Sequence, residues 1–414
     1  MQRVLAVDLP ALVGSRITVA GWVHRRRSLA RVSFLVLRDR SGTAQVVVPA
    51  GTDLPGEETV VTVTALVVAN PVAPGGVELV QPEITVLAGA VPPPVELFRP
   101  QLAGALPTLL DHAPVTLRHP ARRAVFAASA AAAGAFRAHL DRADFVEVHT
   151  PKIVGTATES GANVFQLDYF GRPAYLAQSP QCYKQTMVGV FERVYEVGPV
   201  FRAEAHDTAR HLASYTSLDA EFGFITDHRE VMAVLTGVLR SMVEAVARFG
   251  FEPVALPDEV PVLHFRDALA LVGADPQEPD LAPEHERALG ALARREFGSD
   301  LLYVEGYPMA KRPFYTHPQP TDPRWSNSFD LLFRGVELVT GGQRLHRYQD
   351  YLAALAAAGE PVPPHAGYLA AFRHGMPPHG GFAIGLERFM ERLVGAGNIR
   401  EVTLFPRDLH RLAP

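Results

Sequence analysis

The chain contains the segment FRAEAHDTARHLASYTSLDAEF at residues 201–222. Strand-like runs precede it and end it, and a polar loop lies between them, which predicts a charged β-hairpin. Arg202, Glu204, Arg210 and His211 fall close to that turn. A planar guanidinium binds phosphate oxygens in pairs and stabilises charge that develops on a phosphate during displacement. The hairpin is therefore a candidate phosphate site, with functionless surface arginines as the alternative.

Two carboxylates stand out in the segment SFDLLFRGVELVTGGQRLHRY, residues 328–348. Asp330 and Glu337 bracket a strand predicted over 328–340, and a Gly-Gly turn and Arg344 follow. Hard carboxylates suit Mg²⁺ held against substrate phosphates. Seven residues along one strand place two side chains on opposite faces unless a bulge intervenes, so the spacing alone leaves metal binding open.

Glycines shape a third segment, HGGFAIGLERFMERLVG. They let a strand approach a ligand closely before it turns into a helix that carries Glu387 and Arg388, although a purely structural strand-to-helix turn is the alternative. The sequence has no Walker A loop and no GxGxxG motif. Any nucleotide must therefore be held in another way, and arginines are the candidates.

A polar group lies in the segment YLAQSPQCYKQ. Gln178, Ser179, Gln181 and Lys184 form a set too mixed for the core face of a helix. Lys184 is the only cation in the segment, and a surface lysine is the alternative interpretation.

The first 90 residues predict five short β-strands separated by Gly, Pro and Asp turn signals. The segments are ITVAGWVHRRR, VSFLVLRDRSG, TAQVVVPA, ETVVTVTALVVA and VELVQPEITVLA. Five strands indicate a small barrel of the OB-fold type, which binds single-stranded nucleic acid by stacking bases on aromatic rings. Phe34 and Trp22 are candidate platforms, although an aromatic residue in such a strand is more often a core residue. Residues 1–40 carry a net charge of +6, which suits an RNA backbone or a solvated arginine-rich strand.

Composition divides the chain into a barrel over 1–90, a proline-dense linker or hinge over 91–119, and a larger domain over 120–414. The larger domain is predicted to be α+β with a mainly antiparallel sheet. Its strands are predicted at 145–154, 174–178, 193–203, 215–225, 301–305, 328–340 and 381–386. Its helices are predicted at 120–142, 229–249, 283–297, 347–358, 365–374 and 386–395.

The overall composition excludes several classes of protein. The chain has 414 residues, 48% of them hydrophobic and 20% charged, with a formal net charge of −5. We expect a soluble protein without a signal peptide or a membrane span. Cys182 is the only cysteine, which excludes an intramolecular disulfide and a cysteine-cluster metal site and fits a reducing cytoplasm.

Taken in order, these segments resemble the three signature motifs of class II aminoacyl-tRNA synthetases, in particular the aspartyl enzymes of archaeal type. A helix and strand ending at Pro151 correspond to motif 1, residues 201–222 to motif 2, and GFAIGLERF to motif 3. The closing FPRDLHRLAP is also typical of the family, and the HIGH and KMSKS motifs of class I are absent. The resemblance covers almost the whole chain. It implies an OB-fold anticodon-binding barrel and a catalytic domain whose antiparallel sheet is flanked by helices.

The resemblance also implies a site for ATP and magnesium. Arg202 would contact the α-phosphate of a bent ATP, and Arg388 would contact the γ-phosphate. Tyr215 occupies the position that stacks on adenine, and Asp330 with Glu337 would bind Mg²⁺. The remaining ATP contacts would come from Glu204, Arg210 and His211.

The same resemblance assigns a pocket for L-aspartate. Lys184 and Arg344 match the pair that receives the side-chain carboxylate. Residues matching positions around the ammonium group and the rest of the amino acid are Glu159, Gln181, Asp219 and Thr340. Two cations in a desolvated pocket would reject asparagine, because a neutral amide leaves their charge uncompensated. The reaction implied is in-line attack of the α-carboxylate on the α-phosphorus, followed by transfer of the aspartyl group to the tRNA 3′-hydroxyl.

For the tRNA, the resemblance places Phe34 at a base-stacking position and Gln45 at a base-contacting position. His24 and Pro82 stand where strictly selective archaeal-type enzymes tend to carry Trp and Lys. The sequence therefore resembles the non-discriminating subgroup, which charges both tRNA(Asp) and tRNA(Asn) and leaves the second product to an amidotransferase. Motif 1 implies a homodimer.

Some features leave alternatives open. Ala383 replaces the usual motif 3 glycine, Gly342 stands where Ser or Ala is commoner, and TESGANVF varies a mobile loop of the family. Alternatives are a strictly discriminating aspartyl enzyme, an asparagine synthetase paralogue, which would lack the barrel, and a non-catalytic RNA-binding protein on a decayed core.

Overall fold

Alternating buried and outward residues close the N-terminal strands into a barrel. In the computed structural model, which describes residues 3–156, 164–205 and 207–413, its strands are β1 (Arg16–Ser28), β2 (Val32–Arg38), β3 (Thr43–Pro49), β4 (Val60–Ala69) and β5 (Val77–Ala88). They follow the order β1-β2-β3-β5-β4, with only the β3–β5 pair parallel among them. Val23, Leu35, Val46, Val63 and Leu79 are fully buried inside. The predicted five-stranded OB-fold barrel is confirmed.

Two irregularities interrupt the ladders of the barrel. The β1–β2 register shifts between Val23 and Arg25, so His24 lies in a bulge. The β4–β5 register shifts again beside Gln81 and Pro82, where Gln81 has a φ of 52°. Proline cannot donate a ladder hydrogen bond, and a bulge is one of the few places where a sheet accepts it. Both of the predicted tRNA-selective positions, His24 and Pro82, therefore lie where the backbone leaves regular pairing.

Residues 91–119 contain two short helices that the sequence analysis did not predict, α1 (Leu106–Asp111) and α2 (Ala113–Thr116). The chain divides into two compact units, one ending at Arg123 and one running Ala124–Ala413. The first unit thus includes residues 91–119, and their predicted role as a linker stays a prediction.

The second unit is built on an eight-stranded sheet. The strands of this unit are β6 (Val146–Glu147), β7 (Ile153–Val154), β8 (Gln166–Tyr169), β9 (Arg172–Leu176), β10 (Arg193–Phe201), β11 (Ser214–Gly223), β12 (Val262–His264), β13 (Leu301–Glu305), β14 (Ser328–Phe333), β15 (Val336–Arg344) and β16 (His379–Gly385). The large sheet has the order β12-β13-β14-β15-β16-β11-β10-β6, and β7-β9-β8 form a small one. The pairs at the two edges, β12–β13 and β10–β6, are parallel and the others antiparallel, which confirms the predicted α+β fold.

Two of the predicted strands need correction. The strand predicted over 145–154 is divided between β6 and β7, which belong to different sheets. The strand predicted over 328–340 is a hairpin of β14 and β15. Its two turn residues, Arg334 and Gly335, have positive φ values of 48° and 73°, as the mirror-image turns of tight hairpins require. The Arg-Gly pair marks this turn, whereas the predicted Gly-Gly turn at 341–342 is wrong, because both glycines lie inside β15.

Helices cover the sheet. They are α3 (Pro120–Arg142), α4 (Gln181–Phe191), α5 (His228–Ala247), α6 (Phe265–Leu271), α7 (Pro283–Phe297), α8 (Tyr348–Ala358), α9 (Ala366–Arg373) and α10 (Leu386–Val394). The six predicted helices are present within two residues at each end, whereas α4 and α6 were not predicted. Leu235, Val238 and Leu239 of α5 and Phe389 of α10 are buried in the main core. None of the helices in the described ranges combines the length and apolar character that crossing a bilayer requires.

Candidate active site

One row of cross-strand partners joins the predicted motifs. Asp219 on β11 pairs with Ala383 on β16, Ala383 with Thr340 on β15, and Thr340 with Asp330 on β14. Directly opposed residues point to the same face of a sheet. Strands lie about 4.8 Å apart, so the two aspartates at the ends of the row are about 14 Å apart. The sheet therefore brings residues from three distant segments onto one surface.

A buried group of four charges lies at the Asp219 end of this row. Lys184 is 1% exposed, and its Nζ lies 2.9 Å from Asp219 Oδ1 and 3.4 Å from Glu221 Oε2. It also donates to the Phe382 carbonyl at 3.2 Å. Arg344 donates from Nε to Glu221 Oε1 at 3.0 Å. Lys184 is therefore not a surface residue, and the structure brings it together with Arg344 as the sequence predicted.

Glu221 was missed by the sequence analysis. Burial alone would raise the pKa of this carboxyl, but Arg344 and Lys184 hold it below its usual value. The sequence did contain a signal, since Glu221 lies two residues after Asp219 on a strand and shares its face. The expected electrostatics also need correction, because the two cations are already compensated by Asp219 and Glu221.

The helix α4 presents a polar rather than an apolar face to the interior. Gln181, Lys184 and Gln185 are among its buried residues, which is why the segment did not match a helix pattern. Gln181 Nε2 is buried without a hydrogen-bond partner in the described part of the chain. It is a donor available to a ligand. Glu159, the other residue predicted near the ammonium group, lies outside the described residues.

A hydrogen-bonded network backs the charged group. Gln185 Nε2 lies 3.0 Å from His379 Nε2, Tyr368 donates its hydroxyl hydrogen to Gln185 Oε1 at 2.7 Å, and the hydroxyl oxygens of Tyr368 and Tyr351 are 2.8 Å apart. Burial lowers the pKa of His379 to about 4, so the ring is neutral at neutral pH. Because this pKa is lower in the folded chain than in the unfolded one, the neutral ring stabilises the fold above about pH 6.5. That contribution is lost as the pH falls toward 4.

All of the predicted ATP residues line one pocket. They are Arg202, Glu204, Arg210, His211, Tyr215, Glu337 and Arg388, and Thr340 lines the same pocket. The Arg202 guanidinium carbon lies 5.7 Å from the centre of the Tyr215 ring. Glu204 lies 3.3 Å from His211 Nε2 and 3.8 Å from Arg202. The pocket combines guanidinium groups with an aromatic ring, which suits a nucleoside phosphate.

Arg388 lines the same pocket and is held there by Glu337. Its Nη1 donates to the Glu337 carbonyl at 3.0 Å, and its side chain is 33% exposed. The neighbouring Glu387 accepts hydrogen bonds from the Thr216 amide at 3.0 and 3.1 Å. Motif 3 therefore orients its arginine toward the pocket and uses its glutamate to hold the start of β11.

The two predicted metal carboxylates lie on one face. The β14–β15 register shifts between Leu331 and Leu332, so Glu337 pairs with Leu332. Leu332 lies two residues after Asp330 on β14 and shares its face, so Glu337 and Asp330 project from the same face of the sheet. The sequence argument placed both residues on one strand, whereas they lie on the two paired strands of a hairpin, and a bulge in that pairing puts them on one face. Partial removal from water, and then the charge of Asp330, raise the pKa of Glu337 to about 7. A carboxyl group whose ionisation is opposed in this way by a neighbouring carboxylate favours a cation beside it.

Arg312 is a second residue that the sequence analysis missed. Its Nη2 donates to Asp330 Oδ2 at 2.9 Å, while Asp330 Oδ1 is buried with no hydrogen-bond partner in the described ranges. Burial also raises the pKa of Glu286, whose Oε2 accepts from the Glu337 amide at 3.2 Å. Within the described residues, no group of three or more His, Cys, Asp or Glu side chains is placed to hold a metal.

Close packing explains why glycine stands at position 342, where Ser or Ala is commoner in the family. A Cβ at this position would lie 2.7 Å from both the Asn327 carbonyl oxygen and Ser328 Cα. Glycine is therefore the residue that lets β15 pass β14 so closely. Ala383 lines the ATP-side pocket, so its methyl group is tolerated there.

The predicted tRNA positions occupy the outer face of the barrel. Phe34 pairs with Arg27 on β1, and Gln45 pairs with Val36 on β2, so these side chains share one face. Gln45 Nε2 donates to Glu78 Oε2 at 3.2 Å. Neither Phe34 nor Gln45 belongs to the buried core, which favours the platform interpretation of Phe34.

These features define a class II tRNA synthetase fold with an N-terminal OB-fold. The model of the family described as tRNA synthetases class II (D, K and N) matches residues 106–409, and a model described as an OB-fold nucleic acid binding domain matches residues 17–87. The chain belongs to this class II tRNA synthetase family.

Within this family, the chain is similar over all or nearly all of its length to aspartate--tRNA ligases. The chain is 46% identical to the aspartate--tRNA(Asp/Asn) ligase of Thermus thermophilus, with 100% of both sequences covered. It is 37% identical to the aspartate--tRNA(Asp) ligase of Pyrococcus horikoshii, covering 97% of each. Among solved structures, asparaginyl-tRNA synthetase from Pyrococcus horikoshii complexed with asparaginyl-adenylate has a TM-score of 0.90 at 29% identity, with 100% of both chains covered. Aspartyl tRNA synthetase from Entamoeba histolytica has a TM-score of 0.87 at 28% identity, covering 100% of this chain and 93% of that one.

Proposed function

We propose that this chain uses ATP to convert L-aspartate into aspartyl-adenylate and then transfers the aspartyl group to the terminal 3′-hydroxyl of tRNA. The observation that carries the proposal is the buried group of Lys184, Asp219, Glu221 and Arg344 beside the pocket of Arg202 and Arg388. The relatives named as aspartate--tRNA ligases support the same activity. Fold alone does not separate aspartate from asparagine, because the solved structures at this similarity include enzymes for both.

In the proposed site, Arg202 and Arg388 bind the triphosphate and Tyr215 stacks on adenine. Glu204 and His211 hold the adenine end of the pocket together with Arg210. The guanidinium of Arg202 stabilises negative charge that develops on the α-phosphate as the aspartate carboxylate attacks. The reaction needs no nucleophilic side chain, since positioning and charge stabilisation supply the acceleration. Cys182 is therefore not required as a nucleophile.

In the amino-acid pocket, the side-chain carboxylate of aspartate lies between Lys184 and Arg344. The substrate ammonium takes the Asp219 carboxylate, with Gln181, Glu159 and Thr340 completing its surroundings. When aspartate binds, Asp219 pairs with the substrate ammonium instead of Lys184. The ammonium of Lys184 then pairs with the side-chain carboxylate of the substrate. Asparagine would direct amide hydrogens at two cations, so the site disfavours it.

The carboxylates Asp330 and Glu337 fit Mg²⁺. Asp330 presents a buried oxygen without a partner in the described ranges, and Glu337 has a raised pKa that a cation would lower. Both are hard oxygen donors, as this ion prefers. When bound, Mg²⁺ would neutralise triphosphate charge and help the leaving pyrophosphate. Arg312 would hold Asp330 in place.

The proposal includes both tRNA(Asp) and tRNA(Asn) as partners. His24 and Pro82 lack the larger side chains of strictly selective relatives, and the relative of highest identity named above is an Asp/Asn ligase. The asparagine-tRNA product would require a separate amidotransferase. A strictly selective enzyme is the alternative, because relatives named aspartate--tRNA(Asp) ligase are 36–37% identical. We further propose a cytoplasmic homodimer.

Amino-acid-dependent exchange of pyrophosphate into ATP tests the activation step without tRNA. We expect exchange with L-aspartate and almost none with L-asparagine or L-glutamate. Exchange that is stronger with asparagine than with aspartate would replace this proposal by an asparaginyl activity. Absence of exchange with all three would favour the non-catalytic alternative.

A further inference from the structure

Five arginines line a pocket in the N-terminal unit. They are Arg3, Arg38, Arg40, Arg118 and Arg123, and the Trp22 ring lies among them. The guanidinium carbon of Arg38 is 5.9 Å from the centre of that ring. Trp22 is half-buried and Arg38 is 3% exposed. Arginine beside an aromatic ring is the combination with which proteins hold nucleic-acid backbones and bases.

The charge of this arginine pocket is only partly compensated. Glu58 is 5% exposed and accepts from Arg38 at 2.9 Å and from Arg118 at 3.1 Å. Asp39, the carboxylate among the described residues that line the pocket, accepts from the Ala6, Ser41 and Gly42 amides at 2.8, 2.7 and 3.0 Å. Five cations against these two carboxylates leave a net charge of +3. An anion entering the pocket is therefore attracted to it.

The arginine pocket continues the outer face of the barrel. Phe34, Val36 and Arg38 are alternate residues of β2 and share that face. At a rise of about 3.3 Å per residue, Arg38 lies about 13 Å along the strand from Phe34. Arg38 also contacts the bulge on β1, where its Nη1 lies 3.2 Å from His24 Nδ1. A strand of RNA that places bases on Phe34 and against His24 would carry its backbone past the pocket.

We propose that the arginine pocket binds a backbone phosphate of tRNA next to the nucleotide that faces His24. This inference rests on the proposed function, because it takes the outer face of the barrel as the anticodon surface. The contact is to phosphate and carries no base identity, so it serves tRNA(Asp) and tRNA(Asn) equally. It complements His24 and Pro82, which act on the choice between tRNAs.

Arg40 is the arginine best suited to a test. Its side chain is exposed and makes no hydrogen bond or ion pair in the described part of the chain. Arg123, by contrast, donates to the carbonyls of Asp39 and Arg40 at 3.3 and 3.1 Å and so holds the loop together. A change at Arg40 therefore alters the charge of the pocket without removing a structural contact.

The experiment measures dissociation constants of both tRNAs for wild type, Arg40→Gln and Arg40→Lys over a range of KCl concentrations. Arg295→Gln is the matched control, since it removes an exposed arginine that pairs with Glu296 at 2.7 Å on α7. We expect Arg40→Gln to weaken both tRNAs by the same factor, about threefold to tenfold, and to lower the salt slope by about 1. Arg40→Lys should restore much of the slope, and Arg295→Gln should behave as wild type.

Two results would overturn the pocket assignment. The first is a tRNA affinity and a salt slope that do not change in Arg40→Gln. Binding of inorganic phosphate to the barrel would not alter that conclusion. The second is a loss confined to one tRNA, which would indicate base recognition instead. Aspartate-dependent pyrophosphate exchange, measured without tRNA on the same samples, separates the two proposals. Its absence from wild type would refute the proposed function, whereas its presence beside unchanged tRNA binding would refute only the pocket.

Discussion

Replacement of Lys184 by methionine gives the sharpest prediction for the amino-acid pocket. The lysine is 1% exposed, and its Nζ lies 2.9 Å from Asp219 and 3.4 Å from Glu221. Truncating one partner of a buried, hydrogen-bonded charge pair costs about 2–5 kcal/mol, and 1.4 kcal/mol corresponds to a factor of ten. We therefore expect kcat/KM for aspartate in pyrophosphate exchange to fall about 30-fold to 4,000-fold, with loss of the preference for aspartate over asparagine.

The controls for this variant separate binding from folding. Lys184→Met leaves the buried Asp219 without its nearest cation, so we expect the free energy of unfolding of this variant to fall as well. The double variant Lys184→Met with Asp219→Asn removes both members of that pair and leaves the Arg344–Glu221 pair in place. It should recover stability, measured by urea unfolding, without recovering exchange. Lys152→Met is the matched control, because Lys152 pairs with the buried Glu196 at 2.7 Å and lies outside the pocket. Aspartate-dependent exchange at the wild-type level in Lys184→Met would refute the assignment.

Three further predictions concern the phosphate site, the tRNA surface and the buried histidine. Arg388→Gln removes a guanidinium directed at the triphosphate, so we expect kcat for exchange to fall about 100-fold to 1,000-fold; an effect limited to the KM for aspartate would contradict that role. His24→Trp with Pro82→Lys should reduce aspartate transfer to tRNA(Asn) more than to tRNA(Asp) in charging assays, and equal losses would count against the anticodon argument. His379→Asn should remove an acid-sensitive contribution, so that wild type loses about 3 kcal/mol more than the variant in unfolding free energy between pH 7 and pH 4. Parallel pH profiles of stability would show that the ring titrates at its ordinary pKa.

The sequence predicted well those elements whose signals are local. Alternation and turn residues indicated the barrel strands and the hairpin of residues 201–222, and the phosphate-site residues fell into one pocket because that hairpin formed as expected. The resemblance to the synthetase family added the aspartate residues. Lys184 and Arg344 could not have been paired from spacing alone, because 160 positions separate them and only the sheet joins them.

The failures have tertiary causes. The helix α4 was missed because its buried face carries the polar residues Gln181, Lys184 and Gln185. Their charge and hydrogen-bonding partners lie on other segments, so the helix shows no periodic pattern of apolar residues. The turn at Arg334 and Gly335 was missed because the strand prediction ran through Gly335, although glycine is a turn signal, and because a positive φ at arginine has no signature in the sequence. Glu221 and Arg312 were missed for the same general reason, since each is defined by a partner on another strand or loop.

The most direct test of the central claim is aminoacylation of purified tRNA(Asp) and tRNA(Asn) by the full chain with ATP, Mg²⁺ and either labelled aspartate or labelled asparagine. We predict aspartyl esters on both tRNAs and no asparaginyl ester on either. Esterification of asparagine in preference to aspartate, or no ester on either tRNA under conditions that support pyrophosphate exchange, would contradict the account.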